Sequence, residues 1–308
     1  VRKYNQENFQ RLVALAMRDP NLANMRPVIE KEIIHFDLLF VLDQEGLLND
    51  LVFQGGTAVR LCYGGKRFSE DLDFAGGVDF SSTRLAQMKD CILDYLSTRS
   101  GVEVSVKEPK SLRKEPAYSE RNVDMWQIAI TASPERPDLP RQRVKLEVAN
   151  IPAYTSVPQA LIRTYDFLPD GYEDLLIMTE DKSEIMADKL VSLPATQKYV
   201  RHRDIWDLAY LSQEKAVVRP DLVLSKIRDY QIEDYGAKLE AIIGRLPEII
   251  RGKSFRDEMN RFLPVDVIER TLAKEKFTEF LHSRVLSLLE QVRDEIDSDQ
   301  SANSSFLM

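Results

Sequence analysis

The chain has 308 residues, of which 44% are hydrophobic and 30% charged, with a formal net charge of -8. That length suggests two domains, or one core with a substantial appendage, and the apolar fraction suffices for a sizeable core. The acid excess excludes a blanket nucleic-acid binder, because a phosphate backbone demands clustered Lys and Arg; any contact with RNA must come from a local patch.

Two helices are expected first, over 5–18 and 27–46, the second with Pro27 at a first helical position and Gly46 at its end. The apolar run Leu51-Val52-Phe53 then leads into Gly55-Gly56-Thr57 and a brief helix through Val59, Leu61 and Cys62. Asp71-Leu72-Asp73-Phe74 alternates like a strand, and Ser81 and Ser82 are placed to cap a helix reaching about 99. Strand-like runs follow at 102–106, 123–131 and 143–151, with Pro134, Pro137 and Pro140 marking the turn between the last two. The expected fold is α/β (α+β): a mixed sheet of about five strands flanked by helices.

Beyond 179 the pattern is helical, with helices expected at 180–193, 203–213, 220–230, 235–246, 253–262 and 274–296. The domains implied are 1–175, 176–297, and a polar tail over 298–308 expected to fray. Cys62 and Cys91 are far apart, lack a CxxC and read as reduced core thiols, while three scattered histidines argue against zinc. No apolar run reaches membrane-spanning length and Val1-Arg2-Lys3-Tyr4 carries no apolar signal segment, so a cytoplasmic protein with no membrane partner is expected.

The chemistry centres on residues 55–73. In a strand, Asp71 and Asp73 project to one face while Leu72 and Phe74 face the core. Two adjacent carboxylates repel unless a divalent cation neutralises them, and Mg2+ (or Mn2+) prefers such hard oxygen ligands together with substrate phosphates. A lone DxD is more often a solvated strand. Upstream, however, Gly55, Gly56 and Thr57 lie at a strand-to-helix junction, where glycines let backbone amides approach a phosphate and Thr57 can serve as cap or ligand. In Arg143-Val144-Lys145-Leu146-Glu147-Val148 the apolar residues form one face, and Glu147 on the other can supply a third metal carboxylate. An exposed Lys–Glu strand edge is the plainer reading of that segment.

The blocks Phe53-Gln54-Gly55-Gly56-Thr57-Ala58-Val59-Arg60 and Arg67-Phe68-Ser69-Glu70-Asp71-Leu72-Asp73-Phe74 resemble the AbiEii/AbiGii-type nucleotidyltransferase toxins of type IV toxin–antitoxin and phage-defence systems, which include the MenT proteins. The resemblance spans roughly residues 30–212. It implies a polymerase-β-like core followed by a helical C-terminal domain, with an NTP as substrate, RNA (the tRNA 3′ end) as acceptor and a cognate antitoxin as partner. It also implies that Lys189 reaches the nucleotide phosphates and that Asp204, in Arg203-Asp204-Ile205-Trp206-Asp207-Leu208, is an essential active-site residue. Ser69 becomes a nucleotide-site residue open to inhibitory phosphorylation by the antitoxin, which would place a dianion beside the metal carboxylates.

Read from the residues alone, Lys189 is a snorkelling lysine on an apolar helix face, Asp207 a capping or pairing group, and Ser69 a polar strand-entry residue. Basic clusters at 107–121 and 198–203 are candidate RNA contacts or solvated surface. Competing functions are nucleotidyl transfer to a small molecule or protein side chain, a non-catalytic nucleotide-binding module, and a DxD glycosyltransferase. The glycine element ahead of the carboxylate strand argues against the last.

Overall fold

The structure is a computed structural model that describes residues 9–100, 102–113, 123–132, 141–168 and 171–305. The turn prolines near 134–140, the helix start at 5–8 and half of the basic cluster at 107–121 lie outside the described residues. Two compact units divide the chain. The first comprises Val1–Gly64 and Phe68–Glu180; the second comprises Gly65–Arg67 and Asp181–Met308.

The first unit holds α1 (Phe9–Ala16), α2 (Arg26–Gln44), α3 (Gly55–Leu61) and α4 (Met88–Ser100). It also holds strands β1 (Val52–Gln54), β2 (Leu72–Ala75), β3 (Glu103–Lys107), β4 (Val123–Thr131), β5 (Gln142–Ala149), β6 (Val157–Ala160) and β7 (Leu176–Thr179). These form a seven-stranded mixed sheet in the order β3-β4-β5-β2-β1-β7-β6. β2 runs parallel to β5 and antiparallel to β1. The fold is α+β, as expected, but two strands richer than the expected five. β6 was hidden by its Pro158, which a strand tolerates at a sheet edge, and β7 by its brevity. The helix expected from 81 begins as a single 3-10 turn over Ser82–Leu85, and α4 starts afresh at Met88.

One sheet face is apolar: Phe53, Leu72, Phe74, Val144, Leu146 and Val148 are each at most 2% exposed. Phe53 and Phe74 pack across β1 and β2 with ring centroids 5.0 Å apart and planes tilted by 31°. Because strand side chains alternate, burying that face forces Gln54, Asp73, Lys145 and Glu147 onto the opposite one. α2 is buried nearly all round, and its buried acids Glu30, Glu32 and Asp37 are paired. Glu32 holds Arg60 at 2.7 Å and Asp37 holds Arg99 at 2.8 Å.

The second unit is helical: α5 (Lys182–Ala195), α6 (His202–Gln213), α7 (Pro220–Asp229), α8 (Tyr235–Arg251), α9 (Lys253–Phe262), α10 (Val265–Arg270) and α11 (Glu275–Ser305). α5 runs through Pro194 to Ala195, past the end expected at 193. A helical proline leaves the carbonyl four residues earlier without a donor. Here the Tyr235 hydroxyl donates to that carbonyl, Leu190 O, at 2.8 Å. α11 continues to Ser305, so the tail expected to fray from 298 is helical that far; once the earlier turns are packed, each added residue costs little. Among the described residues no helix is long and apolar enough to cross a membrane.

Candidate active site

The chain leaves β1 through a left-handed turn at Gly55, φ +77°, that only glycine adopts without strain. A Cβ at Gly55 would lie 2.6 Å from Asp73 Oδ2, so the Asp73 carboxylate sits directly against the glycine backbone. Asp73 is also the register partner of Glu147 on β5 and of Gln54 on β1. Two of the three carboxylates expected to share a metal, Asp73 and Glu147, thus occupy one level of one sheet face, beside Gly55.

Asp71 lies one residue before β2 and is held differently. Its Oδ1 accepts from the backbone N–H of Lys145 at 3.1 Å, and its carbonyl accepts from the Thr57 hydroxyl. Thr57 is 1% exposed and third in α3; the N-cap is Gln54, whose side chain makes no capping bond. The capping role expected of Thr57 is therefore overturned. Its hydroxyl instead staples the start of α3 to the residue entering the carboxylate strand. Ser69 is buried, at 8% exposure. Glu70 beside it pairs with Lys31 at 2.6 Å, and its carbonyl meets His35 Nε2 at 3.0 Å.

The residues suit a magnesium ion by donor chemistry and by the close approach of Asp73 to a residue without Cβ, which leaves the carboxylate next to bare backbone. Among the described residues no three acidic, histidine or cysteine side chains converge on one point. Magnesium commonly takes only one or two protein carboxylates and completes its shell with water and substrate phosphate, and Asp73 and Glu147 are two carboxylates at one level of the sheet.

Lys189 and Asp204 belong to the second unit. Lys189 Nζ lies 3.1 Å from Asp204 and 2.8 Å from Asp207, and Arg67 grips Asp207 through two bonds of 2.7 and 2.6 Å. Arg201 pairs with Asp204, which also accepts from the Ser192 hydroxyl at 3.0 Å. Burial alone would raise the Asp204 carboxyl, but Lys189 and Arg201 outweigh it and hold the group well below the usual carboxylate range. Burial would likewise lower the Lys189 ammonium, yet Asp204 and Asp207 together hold it above its ordinary value.

Three cations, Arg67, Lys189 and Arg201, face Asp204 and Asp207, and Glu258 also lies close enough to act on Arg67. Sequence reasoning missed Arg67. The signal was available: Asp204 and Asp207 stand three apart on one helix, hence on one face, and a buried acid pair requires more than a single lysine. Arg203, by contrast, turns away to Glu258 at 3.3 Å and to the ring of Phe262.

A mixed sheet that lines up two carboxylates beside a glycine turn, in a chain that continues into a helical unit, fits the nucleotidyltransferase class. The profile of the AbiEii nucleotidyl transferase toxins of type IV toxin–antitoxin systems matches residues 37–283, and the chain belongs to that family. Its fold is similar to that of MenT4, a nucleotidyltransferase toxin from Mycobacterium tuberculosis H37Rv, with a TM-score of 0.59 at 18% identity over 94% of this chain and 92% of that one. JHP933 from Helicobacter pylori matches at TM-score 0.46 and 15% identity, covering 91% of this chain and 98% of its own; at that level it carries no argument. No curated protein matches the sequence.

Proposed function

We propose that this nucleotidyltransferase moves a nucleoside monophosphate from an NTP to an acceptor hydroxyl on RNA, the tRNA 3′ end, breaking the α–β phosphoanhydride bond and releasing pyrophosphate, with Mg2+ (or Mn2+) as cofactor. In this reading it acts in the cytoplasm as a growth-inhibiting toxin or phage-defence effector restrained by a cognate antitoxin. The observation that carries the proposal is the Asp73–Glu147 register pair set against Gly55. Asp73 and Glu147, with Asp71 beside them, would hold the divalent ion. When bound, that ion supplies charge neutralisation at the phosphates and polarises the acceptor hydroxyl.

Gly55 and Gly56 present backbone amides to the triphosphate. Lys189 and Asp204 carry the catalytic roles implied by the family. No histidine among these residues is placed to act as a base, in keeping with a reaction that rests on positioning and electrostatics. Inhibitory phosphorylation of Ser69 completes the proposal, and intact-mass analysis after co-expression with the antitoxin tests it: an inhibited protein without added phosphate removes it.

The principal test incubates the protein with each of the four NTPs labelled at the α-phosphate, total RNA and Mg2+. Label in small RNA is expected with the native chain and is absent for Asp73→Asn. No label in any RNA under any nucleotide sinks the RNA reading; label in a small molecule or in protein instead establishes the alternative acceptors.

A further inference from the structure

Lys145 stands where a metal-site account has no assigned use for it. Two residues before Glu147 on β5, it shares that residue's face, and it lies opposite Asp71, one step before the Leu72–Leu146 pair. It meets Asp71 twice: its backbone N–H donates to Oδ1 at 3.1 Å, and its Nζ lies 4.0 Å from Oδ2. The same Nζ lies 3.9 Å from Glu147 Oε1. A single ammonium therefore sits between two carboxylates of the face on which the divalent ion is proposed to bind.

We propose that Lys145 is the resident counter-charge of this face, competing with the divalent cation for Asp71 and Glu147; the inference rests on the metal-dependent reading above. The physical reason is direct. Carboxylates gathered without a cation repel, and the lysine offsets that repulsion in the metal-free protein. An incoming bare ion must displace the ammonium or accept its repulsion. An ion arriving with a polyphosphate brings negative charge that compensates the lysine, so the site favours the metal–nucleotide complex over the metal alone. Lys145 is thus a positioning residue that sets what the site loads.

The side chain is 45% exposed, so the competition acts largely through water. A unit charge a few ångströms from a divalent ion in that dielectric corresponds to about a tenfold change in affinity. The test is a Mn2+ titration without nucleotide, followed by electron paramagnetic resonance, on the full chain and on Lys145→Met and Lys145→Arg, with circular dichroism confirming each fold. Lys145→Met is expected to bind Mn2+ about tenfold more tightly than the native chain, and Lys145→Arg to bind like the native chain. If Lys145→Met binds with equal or weaker affinity while the native chain binds saturably, the competition is wrong and the metal reading stands. Should neither the native chain nor Lys145→Met bind Mn2+ saturably, both are overturned.

Discussion

Gly55→Ala probes the contact on which the site is built. Two costs arise from separate causes. An alanine at φ +77° carries the left-handed penalty of about 1–2 kcal/mol. Its Cβ would also stand 2.6 Å from Asp73 Oδ2, so the carboxylate or the turn must move, at about 1–3 kcal/mol for a forced overlap. The expected destabilisation is about 2–5 kcal/mol. In an Asp73→Ala background the carboxylate is gone, and what remains is the backbone penalty of about 1–2 kcal/mol together with a milder 3.2 Å approach to the Cβ at position 73.

Urea unfolding of the four proteins in the cycle measures the difference, a coupling of about 1–3 kcal/mol. Nucleotidyl transfer by Gly55→Ala alone falls at least about tenfold, because a displaced carboxylate spoils the geometry. An identical cost of Gly55→Ala in both backgrounds would refute the claim that the glycine exists to admit Asp73.

Other outcomes follow from the second unit. Lys189→Met leaves Asp204 and Asp207 short of a buried partner and is expected to cost about 3–5 kcal/mol, read as a lower urea midpoint; a midpoint within error of the native one contradicts the network. Tyr235→Phe strips the donor from Leu190 O and costs about 1–2 kcal/mol, whereas in a Pro194→Ala background, where the helix supplies its own N–H, the same change costs much less. Asp204 is held below its unfolded value, so its contribution is complete above about pH 4 and is lost as pH falls through its lower folded value. Asp204→Asn should therefore flatten the acid limb of the stability profile between about pH 4 and pH 2, and an unchanged slope counts against the assigned pairing.

Much of this was legible in the chain itself. The alternation through Asp71, Asp73 and Glu147, the glycine junction before them and the misplaced lysine on an apolar helix face are local periodicities, and each survives in the structure as an element of the expected type. Gly55 was readable as a turn, but its second reason, the carboxylate pressed against it, depends on β1 pairing with β2. Thr57 shows the limit of local chemistry: a threonine at a helix start suggests a cap, yet the approach of Asp71 O gave its hydroxyl a different partner.

What the sequence by itself determined is the class of fold, the face on which Asp73 and Glu147 lie, and the helix that bears Lys189, because side-chain period and apolar burial are properties of contiguous residues. Only the tertiary structure decided that Asp73 stands level with Glu147, that Lys145 stands between Asp71 and Glu147, and that Arg67 reaches Asp207. Strand register and long-range ion pairs join segments up to 140 residues apart. They are set by which apolar faces bury each other, and no window of the sequence contains both partners.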